Sequence, residues 1–496
     1  MFIGVDFGTT MSQAATINFG RMFPLLREGV YGVESLFYYD CAQGPIVGRE
    51  AGDAGQGKYA QNLVRDVKMN LDKTFNLDGR DYAPAEIIRE IYKNVIMEAQ
   101  ETAENNSIEK TIEGIVLSHP AKFNVQECNL IRNAAAFCMP DGTELKITGM
   151  IKEPVAAALS YYHLNPLANG TPILVYDLGG GTCDIALVVS DTTTKQSFKV
   201  IDSSMVRRGG RDWDKVLMDY AIEKFELEAN GSIDIRSNAG YMEKVRRAVI
   251  EAKHALSTSV YTQIRAEFNG EMSRTSISRE VFEELTASLL DETLDELEAV
   301  YNRNADKTAN VFEIICVGGA SHMPQVREGI QSRFPNCTVK VSQPAYAVVN
   351  GTAIYASLLG SEAETEVETP VVQDILPFSY GIRCKKKDEF VIQNILIKGS
   401  KYPACLESDK FRIQGCGSDV NIEIYESECS EDVFSCNSGK GEKPVGSILF
   451  KMPSGAKEND KVFCTLSTPD MSVINVKARN ERGEHVETSF TLDSIK

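Results

Sequence analysis

Positive charge is what this sequence is short of: 52 Lys and Arg stand against 70 Asp and Glu, a net charge of −18. A protein that grips nucleic acid by its phosphates needs a basic field, so that class is excluded and the acidity reads as solubility. Long uncharged apolar runs are missing too, so no membrane span is expected. Neither a basic stretch nor an apolar core precedes Phe2-Ile-Gly-Val5, so no signal peptide is expected either. The 12 cysteines include no Cys-x-x-Cys pair, which argues against a zinc framework and a small disulfide scaffold. With no export signal they read as reduced thiols in a cytoplasm. The Gly-x-x-x-x-Gly-Lys-Ser/Thr loop is absent as well, and no glycine turn of Rossmann type opens a helix.

What is present fills more than one core. At 496 residues the chain calls for two to four domains, and 43% hydrophobic with 25% charged residues is ordinary for globular protein. Residues 1–360 alternate β-rich runs, such as 114–118 and 171–176, with helical patterns at 126–137, 212–228, 240–256 and 279–303. That is an α/β pattern. Residues 361–374 open with Ser-Glu-Ala-Glu-Thr-Glu-Val-Glu-Thr-Pro and read as an acidic linker. From Ile375 the texture changes to short alternating strands, at 390–397, 410–413, 420–425, 447–451 and 473–478, between Gly, Asn, Asp and Pro. An all-β domain is placed at 375–496.

Two segments repeat faintly. Gly4-Val-Asp-Phe-Gly-Thr-Thr10 and Tyr176-Asp-Leu-Gly-Gly-Gly-Thr182 each run strand, Asp, glycine turn, threonine. A turn that hugs a phosphate must aim backbone N–H groups at it and keep side chains away; glycine does both, and threonine hydroxyls add donors. Two such turns suggest a duplicated, two-lobed fold around a nucleotide. Asp6 and Asp177 precede the turns, where a hydrated Mg²⁺ could be held through its waters. Asp184 follows the second turn, and Glu153 lies in Ile151-Lys-Glu-Pro154. A third glycine turn, Val317-Gly-Gly-Ala-Ser321, leaves an apolar strand ahead of a helix expected near Pro324, where backbone can approach a flat base.

Together with Ile151-Lys-Glu-Pro-Val-Ala-Ala-Ala-Leu159, Ser118-His-Pro-Ala-Lys-Phe-Asn124 and Tyr346-Ala-Val-Val-Asn-Gly-Thr-Ala353, these segments resemble the signatures of 70-kDa heat-shock (DnaK-like) chaperones. The resemblance implies an actin-like ATPase of duplicated ribonuclease H-like lobes at 1–360, followed by a peptide-binding β-sandwich. It implies ATP or ADP with Mg²⁺ as ligands. Extended apolar peptides are the implied clients, with J-domain and nucleotide-exchange partners, and neither nucleic acid nor membrane is involved. Residue by residue, Lys68 matches the family's catalytic lysine, with Glu153, Asp177, Thr182 and Asp184 around it. Asp6, Gly8, Thr9, Thr10, Met11, Gly179, Gly180, Gly181 and Gly210 match phosphate and metal-water contacts. Lys253, His254, Ser257, Gly318, Gly319 and His322 match the nucleoside side, and Pro120 matches a proline switch.

The wording departs from the family at several points. His322 stands where an arginine usually stacks on adenine, and Ile250 where an acidic residue meets the ribose; both imply weaker nucleotide binding. Cys128 and Gly149 replace arginines that the family uses in communication and partner contacts, and the linker ends Val371-Val-Gln-Asp374 without the usual leucine run. These changes weaken the implied coupling of nucleotide state to peptide release. Cys183 sits inside the second turn, either as a small buried residue or as a redox gate. The family's helical lid is not expected after the sandwich, and a lidless form implies fast peptide exchange. Three readings stay open: an ATP-driven chaperone, a nucleotide-gated regulatory or scaffold protein with little turnover, and a small-molecule kinase of the same fold, against which the β domain counts.

Overall fold

A computed structural model describes all residues other than 27–31, 110, 138, 140–141, 143, 166–167, 169, 192–196, 229–233, 309–312, 363–371, 388, 414–418, 437–438, 452–455, 470 and 491–496. The chain divides into two compact units. The first gathers Met1–Ala121, Ala134–Phe198 and Ser203–Pro370; the second gathers Lys122–Asn133, Lys199–Asp202 and Val371–Lys496.

Within the first unit, one strand scheme occurs twice. Phe2–Phe7 turns back antiparallel onto Met11–Asn18 and lies parallel to Gly114–His119, which lies parallel to Ile147–Lys152. Pro172–Leu178 turns back antiparallel onto Cys183–Asp191 and lies parallel to Glu313–Val317, which lies parallel to Thr338–Val341. Every residue of Gly114–His119 and Pro172–Leu178 is buried, so these strands read as continuous apolar runs rather than alternating ones, as sheets covered on both faces require.

The register aligns the two hairpins residue for residue. Phe7 pairs with Ser12 and Leu178 with Cys183, leaving four turn residues in each case. Gly8 therefore corresponds to Gly179, Thr9 to Gly180, Thr10 to Gly181, and Met11 to Thr182. The sequence suggests a shared threonine; the register corrects this, because Thr182 falls at the place of Met11 and the first hairpin's threonines face glycine positions of the second.

Helices follow the fourth strand of each scheme. Glu153–Leu164 starts with Pro154 in its first turn, where the missing N–H costs nothing. Ala347–Glu362 is its counterpart, and the two cross at backbone contact: a Cβ on Gly351 would lie 1.7 Å from the Ala156 carbonyl oxygen. The Ala-Ala-Ala and Asn-Gly-Thr-Ala segments are small because this crossing leaves no room for side chains. Pro84–Asn105 buries Ile87, Ile88, Ile91, Tyr92, Val95, Ile96 and Ala99 along one stripe, at about 1.5–3 kcal/mol per large apolar side chain. Its Glu86 carboxylate accepts the Ala83 N–H at 2.8 Å and fixes the helix start.

The helices expected from periodicity form at Gly210–Glu228, Ala239–Thr258 and Arg279–Arg303, and Pro324 opens Pro324–Arg333. The pattern at 126–137 is shorter than expected, forming Val125–Ala135.

The second unit holds an antiparallel sandwich. One sheet orders Val433–Ser435, Glu389–Leu396, Ser379–Lys386, Asp419–Ser427 and Lys443–Lys451; the other orders Ala404–Arg412, Lys461–Thr468, Ile474–Asn480 and His485–Phe490. Lys461–Thr468 and Ile474–Asn480 alternate buried and half-buried residues, the period of a sheet with one covered face. Two expectations need correction. The strand expected at 410–413 is Ala404–Arg412, whose residues are mostly exposed and whose pairing is interrupted between Ser408 and Phe411, so apolar alternation shows only its end. The linker placed at 361–374 is not all linker: the helix Ala347–Glu362 reaches into it, and Val372–Ile375 is a strand. The rest of that linker lies outside the described residues, as does the closing segment 491–496.

Candidate functional site

The two hairpin turns meet. A Cβ on Gly180 would lie 2.7 Å from Thr10 Cγ2, and one on Gly181 would lie 2.7 Å from Thr9 Oγ1. The turns therefore face each other, with the threonine side chains against the glycines. Each is braced by hydrogen bonds. Gly179 N–H donates to the Thr182 carbonyl at 2.9 Å, and Ser35 donates from Oγ to the Gly8 carbonyl (2.7 Å) and from its backbone N–H to the Thr10 carbonyl (2.8 Å). A third loop closes on the second turn: Gly210 and Arg211 donate their N–H groups to the Gly179 and Gly180 carbonyls, each at 2.9 Å.

Behind the turns lies a buried charge cluster. Lys68 sits on the single turn Val67–Met69, which Asp66 enters at a φ of 54°, and is 3% exposed. Its ammonium donates to the Phe7 carbonyl and to Glu153 Oε1, the latter at 2.5 Å. Burial pulls the lysine down, but Glu153, Asp6 and Asp184 together hold it above its ordinary value. Burial raises Glu153 above the usual carboxylate range, and the Lys68 ammonium opposes that shift. Asp6 is raised by burial against the pull of Lys68 and of Ser118, whose hydroxyl donates to Asp6 Oδ1 at 2.6 Å. Asp177 is pushed well above its usual range, by burial first and then by Glu153, Asp184 and Asp6. Asp184 accepts the Ala121 N–H at 2.6 Å.

Four carboxyl groups around one ammonium leave negative charge to spare for a hydrated divalent cation. Among the described residues no three acidic, thiol or imidazole groups converge as direct ligands of a metal ion.

The residues expected on the nucleoside side gather at the third loop. Lys253 donates to the Gly210 carbonyl at 3.0 Å and pairs with Asp214 at 2.7 Å, so its charge is already matched. Ser257 turns its hydroxyl back to the Lys253 carbonyl at 3.4 Å. Loss of solvation and the Lys253 charge hold the His254 imidazole low, with His322 adding to the effect and Asp214 opposing it. Gly318 has φ 80°, and a Cβ there would lie 2.4 Å from Asp177 Oδ1, so only glycine fits between the third turn and that carboxylate. Gly319 and His322 bound the short turn Gly319–His322. His322 is exposed and lines an open groove of about 740 Å³ with Arg327, Gln331 and Val341.

Met11 opens the strand Met11–Asn18, Ile250 lies on the helix Ala239–Thr258, and Gly149 pairs with Val116. Pro120 offers its carbonyl 3.0 Å from His119 Nδ1, and Cys128 is fully buried. Cys183 has no exposure and its thiol is pushed well up by burial, which makes it a packing residue rather than a reactive one. Sequence reasoning missed Ser35, the Ser118 hydroxyl on Asp6, the Ala121 N–H on Asp184, and Asp214. The partners lie 27 to 112 positions away for the first two, so no local pattern announces them.

Comparison with protein-family models matches residues 46–491 to a family described as Hsp70 protein.

Proposed function

Because the chain belongs to the Hsp70 family, we propose that the first unit hydrolyses ATP and that the nucleotide state sets how firmly the sandwich holds extended apolar peptide. Members of this family are ATP-dependent chaperones that use Mg²⁺. The observation that carries the reading for this chain is the meeting of the Thr9–Thr10 turn with the Gly180–Gly181 turn directly in front of the Lys68–Glu153 pair.

In this reading the glycine-bearing turn presents backbone N–H groups and the threonine-bearing turn presents hydroxyls to the phosphates. The turns touch, so nucleotide entry parts them. Lys68 is held by the Phe7 carbonyl and Glu153, and places a fixed positive charge where the transferred phosphoryl group gains negative charge. Glu153 and Asp184 order the attacking water, Asp184 being fixed by the Ala121 N–H. Asp6 and Asp177 would hold Mg²⁺ through its waters, and the ion would screen phosphate charge. Residues near Gly210, Lys253, His254, Ser257, Gly318, Gly319 and His322 would contact the nucleoside. In the sandwich, an extended peptide would be held by main-chain hydrogen bonds and an apolar pocket.

One observation favours the second reading, a nucleotide-gated regulator with little turnover: Lys253 is already paired with Asp214, and His322 is exposed at an open groove. A single-turnover ATPase assay separates the two. Phosphate release that depends on ATP and Mg²⁺ supports the chaperone reading. Tight ATP binding with no release supports the regulator. Peptide fluorescence measured with and without ATP then tests coupling.

A further inference from the structure

Three segments from different parts of the first unit meet at Gly181. A Cβ there would lie 2.7 Å from Thr9 Oγ1, 2.9 Å from Thr9 Cγ2 and 2.9 Å from Met69 Sδ. Thr9 belongs to the first hairpin turn, and Met69 closes the single turn that carries Lys68. The surrounding groups are polar or bare: threonine hydroxyls, glycine backbone and the Lys68–Glu153 pair. A thioether offers a phosphate no donor, so an apolar side chain laid against this turn serves something other than phosphate contact.

The backbone under Met69 is fixed. Its N–H donates to the Asp66 carbonyl at 2.9 Å, and the Asn70 N–H donates to the Val67 carbonyl at 3.0 Å. Asp66 also pairs with Arg211 at 3.8 Å, and the Arg211 N–H holds the Gly180 carbonyl at 2.9 Å. The Lys68 turn and the second hairpin turn are thus tied together, and what can move at their junction is a side chain. Thr9 is buried and β-branched, hence stiff. Met69 is half-buried and unbranched, with three rotatable bonds, so it swings at little cost. A methyl carbon does not fit on this side of Gly181. A phosphate oxygen, of similar size, fits there only once one of the two side chains gives way.

We propose that Met69 is a gate on the second phosphate turn: its thioether covers Gly181 and swings aside to admit a nucleotide phosphate. It touches no reacting atom. It sets the fraction of molecules whose turn is open, and apparent nucleotide affinity falls by that fraction. The ligand of the gate rests on the ATPase reading.

The test compares Met69→Ala, which removes the cover, with Met69→Leu, which keeps an apolar one. On the full chain, ATP and ADP affinities are measured by calorimetry and nucleotide association by stopped flow with a fluorescent ADP analogue. Met69→Ala is expected to bind both nucleotides about three- to ten-fold more tightly and to associate faster by a similar factor, with Met69→Leu within about two-fold of the parent. Should the alanine variant not fold, Met69→Ser repeats the truncation with a side chain suited to a half-exposed position. A residue that only fills space gives the opposite sign, because truncating it loosens the turn. Unchanged or weaker binding by the truncated variants, beside a parent that binds, would therefore overturn the gate and leave the ATPase reading standing. Binding gained by truncation where the parent shows none would support both. Binding by none of the variants would sink the nucleotide reading and the gate with it.

Discussion

In the first hairpin Asp6 pairs across the sheet with Gln13, and the turn carries Thr9 and Thr10; in the second Asp177 pairs with Asp184, and the same turn positions are Gly180 and Gly181. Strand order, direction and turn length are shared, while the chemistry is divided. One hairpin contributes hydroxyls and a single carboxylate. The other contributes bare backbone at its three glycines, the Thr182 hydroxyl and two carboxylates. The support differs as well: Asp6 is fixed by a side-chain hydroxyl from Ser118, and Asp184 by a backbone N–H from Ala121, each at 2.6 Å. A repeated scaffold thus constrains where groups stand but not which groups they are, and the two copies complement one another instead of duplicating a function.

The sharpest way to break this comparison is to remove the cation that both hairpins share. Lys68 feels Asp6 of the first hairpin and Asp184 of the second, and bonds Glu153 between them. Lys68→Ala is expected to cut single-turnover hydrolysis by about 1,000-fold and to leave ATP affinity within a few-fold. Unchanged turnover would show that the lysine serves only the fold.

The second largest effect is expected where the helices that follow the two schemes cross. Gly351→Ala would drive a methyl group into the Ala156 carbonyl, and we expect a loss of about 3 kcal/mol or more in denaturant unfolding. A loss below about 1 kcal/mol would mean that the crossing yields easily.

A carboxylate that belongs to neither hairpin supplies a control. Glu426 is 3% exposed, accepts the Tyr380 hydroxyl at 3.0 Å, and is pushed by burial from 4.5 up to about 7 despite that bond. Because its folded value lies above its unfolded one, its stabilising contribution is complete below about pH 4.5 and is lost as pH rises through 7. The amount at stake is about 3 kcal/mol. Glu426→Gln should flatten the fall in stability between pH 5 and 8, measured by urea unfolding at each pH; an unaltered slope would place the titration elsewhere.

The smallest effect is expected at Ser118. Ser118→Ala removes the hydroxyl from Asp6 and should slow hydrolysis several-fold with little change in melting temperature. No change in rate would mean that the first hairpin's carboxylate, unlike Asp184, needs no outside support.

Much of this was legible before any coordinates. Glycine turns, flanking aspartates and the Ile151-Lys-Glu-Pro154 segment are local in sequence, and backbone geometry makes each of them local in space. The helices at 212–228, 240–256 and 279–303 announced themselves because a buried stripe repeats every three to four residues. Ala404–Arg412 did not, since an exposed strand has no apolar alternation to show. Nor did Ser118 or Ala121. Their importance lies in which oxygen or N–H they bring to a carboxylate far along the chain, and an isolated serine or alanine carries no trace of that. The misaligned threonine is the most instructive miss: comparing letters paired Thr182 with a threonine, whereas counting ladder partners pairs it with Met11.

The bare crossing at Gly351 and Ala156 has a mechanical consequence. Where Gly351 meets the Ala156 carbonyl, the helices that follow the two strand schemes are already at their closest possible approach. That contact acts as a stop: it fixes the spacing of the two helices, and any larger side chain at either position would have to push them apart.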